Sequence, residues 1–356
     1  MTEQLSTAHW KGRRVLVTGH TGFKGAWLAC WLQQLGAQVT GLALDPPSDP
    51  SLWSLLALRD VDDRRADVRD RDAIAAIVRT LDPEVIFHLA AQSLVRKAHQ
   101  KPAETFETNL MGTVNVLDAA RLAPHLKAVV IATTDKCYEN DECRRSFREN
   151  DRLGGPEPYS ASKACAELAV AAYRNSYFKS PTRVATIRAG NVIGGGDWGQ
   201  ERLFADVART VLDRTPLRIR HPQAVRPWQH VLDALAAYLQ VAQALIAGTP
   251  QADRGWNVGP AVGQEHSVEW VLHQFLQIWP GAFEYVPAHV TGPYEAQHLA
   301  LDSSAIGSAI GWKPKLDTHA AVAWTAEWMR DFRDGQSASH LCAAQIAAWT
   351  ELGNTK

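Results

Sequence analysis

A doubly wound α/β fold, with a parallel sheet and a smaller C-terminal lobe, is what this sequence predicts. Three observations predict it. Six short runs, most of them rich in Val, Ile, Leu or Ala, recur through the first half of the chain, separated by segments with helical spacing. The first run leads into a glycine-rich turn, Gly19-x-x-Gly22-x-x-Gly25, which opens an apolar helix. After Gly190 this alternation stops, and helices mix with Gly/Pro-rich connections. Near-continuous apolar runs mark strands buried on both faces, so helices must cover both sides of the sheet.

The elements follow in order. Residues 14–18 are the first strand, and the helix after the glycine turn runs to residue 35. Residues 38–44 and 64–68 are the second and third strands, then 73–81 a helix and 85–90 the fourth strand. A long helix over 105–122, a fifth strand over 128–133, a helix over 160–177 and a sixth strand over 183–188 complete the pattern. Residues 1–190 are therefore expected to form a Rossmann-type dinucleotide-binding domain, to which parts of 227–258 return. Residues 191–320 make up most of the smaller lobe, and 321–356 form a C-terminal helical segment.

Composition narrows the function classes. The chain has 356 residues, 46% of them hydrophobic, and a formal net charge of −1, so no basic field suggests nucleic acid. No apolar stretch is long enough to suggest a bilayer span, and the first residues lack the basic start and apolar core of a secretory signal. Five scattered cysteines (Cys30, Cys137, Cys143, Cys165, Cys342) argue against a disulfide framework or a zinc site. The expectation is a cytoplasmic protein without a metal.

The glycine turn predicts a dinucleotide. Glycines allow a tight turn and close backbone approach, so a diphosphate can rest on the helix N-terminus. Gly19, Gly22 and Gly25, with Thr21 and Phe23 between them, are the candidate contacts. Asp45, just past the second strand, is placed to bind an adenosine ribose and favour NAD, although Asp45-Pro46-Pro47 is also an ordinary turn sequence. Asp67 is placed either to reach the adenine or to cap the helix before Ala73.

The chemistry lies further on. Tyr159 and Lys163 are four residues apart on one helical face, where an ammonium can stabilise a phenolate. The preceding strand ends in Thr134-Asp135-Lys136, a hydroxyl, an acid and an amine in succession. A surface ion pair is the ordinary meaning of an Asp-Lys dipeptide, but the sheet's carboxyl edge is where such folds bind ligands.

The ordered set of Gly19–Gly25, Phe87-His-Leu-Ala-Ala-Gln92, Asn109-x-x-Gly-Thr113, Tyr159-x-x-x-Lys163 and Arg226-Pro-Trp-Gln-His-Val-Leu-Asp233 resembles the extended short-chain dehydrogenase/reductase family. Thr18-Gly-His-Thr-Gly-Phe-Lys-Gly25, Thr134-Asp-Lys-Cys-Tyr-Glu-Asn140 and Ala189-Gly-Asn-Val-Ile-Gly-Gly-Gly-Asp-Trp198 look like its nucleotide-sugar 4,6-dehydratases, in particular those acting on CDP-glucose. The similarity spans about residues 10–315.

The resemblance implies an NAD-dependent hydro-lyase that oxidises C4 of a hexose, eliminates water across C5 and C6, and returns hydride to C6. Tyr159, tuned by Lys163, takes the C4 hydroxyl proton and Thr134 binds O4. Asp135 serves the C6 hydroxyl, and Lys136 is the C5 base where dTDP-glucose enzymes carry a glutamate. Ala90 and Gln92 lie beside the nicotinamide or sugar, Asn191 bonds the sugar or diphosphate, and Arg226 clamps the diphosphate; Arg188 and Arg96 are weaker candidates, since either could be a structural ion-pair partner. Gly194-Gly-Gly196 reads as a mobile cover over the nucleotide, and His88 and His230 as packed residues. The resemblance also implies a homodimer, pairing the two helices at 105–122 and 160–177, and a place on the route to surface-polysaccharide deoxysugars. A UDP- or dTDP-sugar dehydratase or 4-epimerase, or a non-catalytic NAD(P)-binding relative, remains an alternative.

Overall fold

The structure, a computed structural model, describes residues 5, 7–140, 142, 144–179, 181–288 and 295–352. Cys143 lies outside them, and the other four cysteines are free thiols. The main sheet has seven parallel strands among the described residues. Their order is Gly255–Val258, β6 (Arg183–Ala189), β5 (Ala128–Ala132), β4 (Val85–His88), β1 (Arg14–Thr18), β2 (Gln38–Ala43) and β3 (Val61–Arg65). The direction of winding reverses beside β1, whose neighbours are β2 and β4, and such a switch point opens a crevice at the carboxyl edge.

Strand periodicity explains why both faces are covered. Val15, Val17, Phe87, Val130 and Ile187 point into one core, with the helices Phe23–Gln34 and Val231–Ile246. Leu16, Ile86, Val129, Ile131 and Val184 point into the other, with Arg71–Leu81, Gly112–Ala120 and Pro158–Ser176.

Some boundaries differ from the sequence reading for identifiable reasons. β3 is Val61–Arg65 rather than 64–68, because Val61 is the residue that pairs with buried Val39 and the polar remainder tolerates a sheet edge. Val68 instead leaves the sheet and packs so closely on Gly112 that a Cβ there would meet it at 2.7 Å. The long helix begins at Pro102 and is interrupted by a π-turn over Glu107–Met111 before resuming at Gly112. Asp70, not Asp67, caps the next helix, accepting from Ala73 N–H at 3.0 Å.

The smaller lobe grows from short strand pairs: Asn191–Ile193 with Trp228–His230, Leu217–Ile219 with Tyr285–Pro287, and Val225–Arg226 with His266–Ser267. The C-terminal helices fold back onto the first domain. Trp349 meets Trp31 edge-on at 5.2 Å and donates its indole N–H to Asp233 at 2.8 Å. Among the described residues no helix is long and apolar enough to cross a membrane.

Candidate active site

The glycine turn fits a dinucleotide diphosphate. Gly19 has a φ of +76°, and a Cβ there would lie 2.6 Å from Ala90 N; at Gly25 it would lie 2.1 Å from Gly19 O. Only glycine permits this closeness. Gly22 is the N-cap of the Phe23–Gln34 helix, and no side chain caps it, so the first-turn amides are left for an anion.

Just past β2, Asp45 is exposed and accepts from Arg65 Nε at 3.1 Å. Asp67 accepts from Arg69 N–H and its guanidinium at 2.6–2.9 Å, which holds its carboxyl below the usual range. His20 is fully buried between Asp63, 2.8 Å from its Nε2, and the edge of Trp53. Its ring occupies the space that a Cβ on Gly41 would need.

Beyond the turn a cavity of about 400 Å³ runs along the carboxyl edge, lined by Phe23, Lys24, Asp135, Tyr159, Asn191 and Arg226 among others. β5 delivers the reactive cluster because the chain turns immediately after it. Thr134 caps a 3-10 turn over Asp135–Cys137, accepting from Lys136 N–H, and this turn gathers three successive side chains that a strand would have sent to opposite faces. Thr134 Oγ1 donates to Asp135 Oδ1 at 2.9 Å, and Lys136 Nζ stands 3.5 Å from the same oxygen. Asp135 Oδ2 is buried with no hydrogen-bond partner.

The Pro158–Ser176 helix supplies Tyr159 and Lys163. Glu157 caps it, accepting from Tyr159 and Ser160 N–H at 2.7 Å. The electrostatics differ from the sequence expectation. Burial raises the Tyr159 phenol to about 12, partly offset by its hydrogen bond with Thr134. Lys163 donates to Ala132 O at 3.0 Å, and burial, with Lys24 nearby, lowers it to about 7. The expected depression of the phenol by Lys163 is thus absent from the protein alone.

Several other expected site residues have partners within the protein. Gln92 spends its amide internally, donating to Leu94 O and Thr105 Oγ1 and accepting from Leu94 N–H. Asn109, in the π-turn, grips the Gln92 backbone N–H and C=O and bonds Ser162. Gln92 therefore shapes the Ser93–Arg96 wall rather than presenting its side chain. Ala90 serves as the packing surface for Gly19. Arg188 is a structural partner of Glu167 at 2.7 Å. The glycine run is closely packed: Trp27 donates to Gly195 O at 2.9 Å, and a Cβ on Gly195 would lie 2.0 Å from Trp328.

Asn191, Arg226 and Arg96 all line the cavity. Asn191 Oδ1 is buried without a partner, and Arg96 lies 3.8 Å from Glu201. Burial lowers the Arg226 pKa, against the pull of Asp135. His88 bridges Thr18 and Thr113 and His230 caps a helix; burial brings both imidazoles to about 3, so they stay neutral. Four lining cations were missed: Arg202, Lys24, Arg218 and Arg220. Arg202 is bound to Asp197 at 3.0 Å and Ser93 at 2.8 Å, and Lys24 extends from the helix's first turn to the Tyr238 hydroxyl at 3.4 Å. A lysine inside the glycine turn was the available signal for the second.

Comparison with known proteins agrees with this geometry. Residues 15–259 match the model of the NAD dependent epimerase/dehydratase family. The chain is 41% identical over 332 residues to CDP-glucose 4,6-dehydratase of Salmonella typhimurium, covering 90% of this chain and 92% of that protein. An epimerase of Methanothermobacter thermautotrophicus has a similar structure, with a TM-score of 0.81, 20% identity and coverage of 92% and 95% of the two chains. The UDP-glucose 4-epimerase of Thermus thermophilus, solved with NAD, gives 0.73 at 27% identity, covering 89% and 99%.

Proposed function

The chain belongs to the NAD-dependent epimerase/dehydratase family, and from that premise we propose that it converts CDP-glucose to CDP-4-keto-6-deoxyglucose and water. The observation that carries this reading is the Thr134-Asp135-Lys136 turn beside Tyr159, with one Asp135 oxygen buried and unpartnered. A 4-epimerase has to move hydride and proton only at C4. An acid–base pair beyond Tyr159 has work to do when a second bond, C6–O, must also break.

NAD supplies a hydride acceptor for C4 and later a hydride donor for C6, so net redox is zero. Tyr159 takes the C4 hydroxyl proton while Thr134 hydrogen-bonds O4. Its phenol needs positive charge to ionise; Arg202 acts on it in that direction, and Lys163 follows one helical turn later. With C4 a ketone, the C5 proton is acidic enough to remove. Lys136 and Asp135 can then act as one unit. A proton passing from Lys136 Nζ to Asp135 leaves an amine base and a carboxylic acid in place. Lys136 removes the C5 proton and Asp135 protonates the departing C6 hydroxyl; when hydride reaches C6, Lys136 returns the proton to C5, and the proton that Tyr159 took from O4 passes through solvent to restore the original ion pair. Arg226 and Arg202 offer guanidinium forks for the diphosphate, and Asn191 an amide for the sugar.

The assembly proposed is a homodimer. Met111 and Leu168 are exposed on the two neighbouring helices at 102–120 and 158–176, where a second copy can cover them. The substrate and cofactor are soluble metabolites, which supports a cytoplasmic site of action, on a route to surface-polysaccharide deoxysugars.

Incubation with NAD⁺ and CDP-, dTDP- or UDP-glucose, followed by mass spectrometry, tests the reading. Loss of one water from the CDP-sugar is expected. An isobaric epimerised product, or turnover of dTDP- or UDP-glucose in preference to the CDP-sugar, would replace it.

A further inference from the structure

Lys24 lies inside the glycine turn, in the first turn of the Phe23–Gln34 helix, and its stem points inward. The ammonium lies 3.4 Å from the hydroxyl of Tyr238 and 5.8 Å from the centre of that ring, on a helix that covers the same face of the sheet. It shares the cavity wall with Tyr159, Asp135, Asp197 and Arg202. Asp197 is engaged by Arg202 at 3.0 Å and Asp135 by Lys136 at 3.5 Å. Among the described residues, neither half-buried Lys24 nor buried Lys163 has an ion-pair partner of its own. Desolvation, then Arg202, lowers Lys24 to about 8, against the pull of Asp135 and Asp197. Such an arrangement is costly unless it does something.

The hydride from C4 must be accepted next to Tyr159, so the nicotinamide has to lie within the field of Lys24. The oxidised ring carries a positive charge and the reduced ring does not. A cation on the cavity wall therefore raises the energy of one form and leaves the other nearly unchanged. We propose that Lys24 makes the bound cofactor a stronger oxidant, by weakening the hold on NAD⁺ relative to NADH. This favours abstraction of hydride from an unactivated secondary alcohol, the harder of the two hydride transfers. A lysine whose task was to clamp the diphosphate would act differently, because both redox forms carry the same diphosphate.

The inference rests on NAD as the cofactor, not on the identity of the sugar. Its test is equilibrium binding, without substrate. Dissociation constants for NAD⁺ and NADH are measured by titration calorimetry on the parent protein, Lys24→Met and Lys24→Arg, with thermal melts to establish folding. In Lys24→Met the ratio Kd(NAD⁺)/Kd(NADH) should fall about tenfold, equivalent to about 30 mV for a two-electron couple. Lys24→Arg should keep the parental ratio within about threefold, since its charge survives. If Met weakens both forms in parallel, or leaves the ratio unchanged, Lys24 is a structural or diphosphate-binding residue and the proposal is overturned. Lys24→Gln serves if the Met variant does not fold. Failure of the parent protein to bind either dinucleotide would instead count against the cofactor assignment.

Discussion

Thr134 donates a 2.9 Å hydrogen bond to one oxygen of Asp135 and leaves the other buried without a partner. A buried carboxylate oxygen that nothing in the protein satisfies is costly, and a substrate hydroxyl would remove that cost. If this oxygen serves the C6 hydroxyl and Lys136 the C5 proton, neither is needed to oxidise C4. Asp135→Asn and Lys136→Ala should therefore still oxidise CDP-glucose while dehydrating it about 10²–10⁴-fold more slowly. Enzyme-bound reduced nicotinamide should accumulate, as seen by its absorbance. Normal dehydration by both variants, or no reduced cofactor in either, would remove these roles.

Tyr159 is assigned the earlier step. Tyr159→Phe should lower turnover by about two to four powers of ten, with NAD and CDP binding nearly intact. No reduced cofactor should form on mixing with substrate, the opposite of the Asp135 and Lys136 variants. Activity within a few-fold of the parent would sink the assignment.

Much of this site was legible in the sequence because it rests on local spacing. Gly19, Gly22 and Gly25 declared a phosphate turn, and Tyr159 and Lys163 shared a helical face. Thr134-Asp135-Lys136 could be read as a cluster only by supposing a turn, and that turn is held by Thr134's own side chain. What could not be read depends on distant pairing. Arg202 belongs to the site through Asp197 and Ser93, and the Gln92 amide is held by Leu94 and Thr105 while Asn109, in a π-turn that no apolar periodicity announces, holds its backbone. The Tyr159 phenol was expected to fall and rises, because burial outweighs its neighbours.

Beneath the site, Glu167 lies one turn beyond Lys163 and accepts from Thr133, Thr186 and Arg188. It is almost wholly buried, as is Arg188, so removing one partner strands the other charge. Glu167→Ala should cost about 3–5 kcal/mol of stability. Denaturant unfolding checks this, and a loss below about 1 kcal/mol would mean that the pair is replaceable by water.

The exposed Leu168 gives the dimer a direct test. Leu168→Arg places two like charges near a two-fold contact, so light scattering at micromolar concentration should report a dimer for the parent and a monomer for the variant. A monomeric parent would rule the assembly out.

Asp233 ties the C-terminal segment to the first domain and gives stability a pH signature. Its carboxylate accepts from Lys315 N–H, Leu316 N–H and the Trp349 indole N–H at 2.8–3.1 Å. Burial outweighs these donors and raises its pKa from 3.8 to about 6. The folded state therefore binds this proton more tightly than the unfolded chain, so the associated stability is present below about pH 4 and is lost as pH rises through 6. The shift corresponds to roughly 3 kcal/mol. Many other carboxylates titrate in this window, but Asp233→Asn, which cannot ionise, isolates the one of interest. The parent's stability advantage over Asp233→Asn should shrink by roughly 2 kcal/mol between pH 4 and pH 7, measured by urea unfolding at each pH. A constant gap would show that the three N–H donors, rather than burial, set the charge of Asp233.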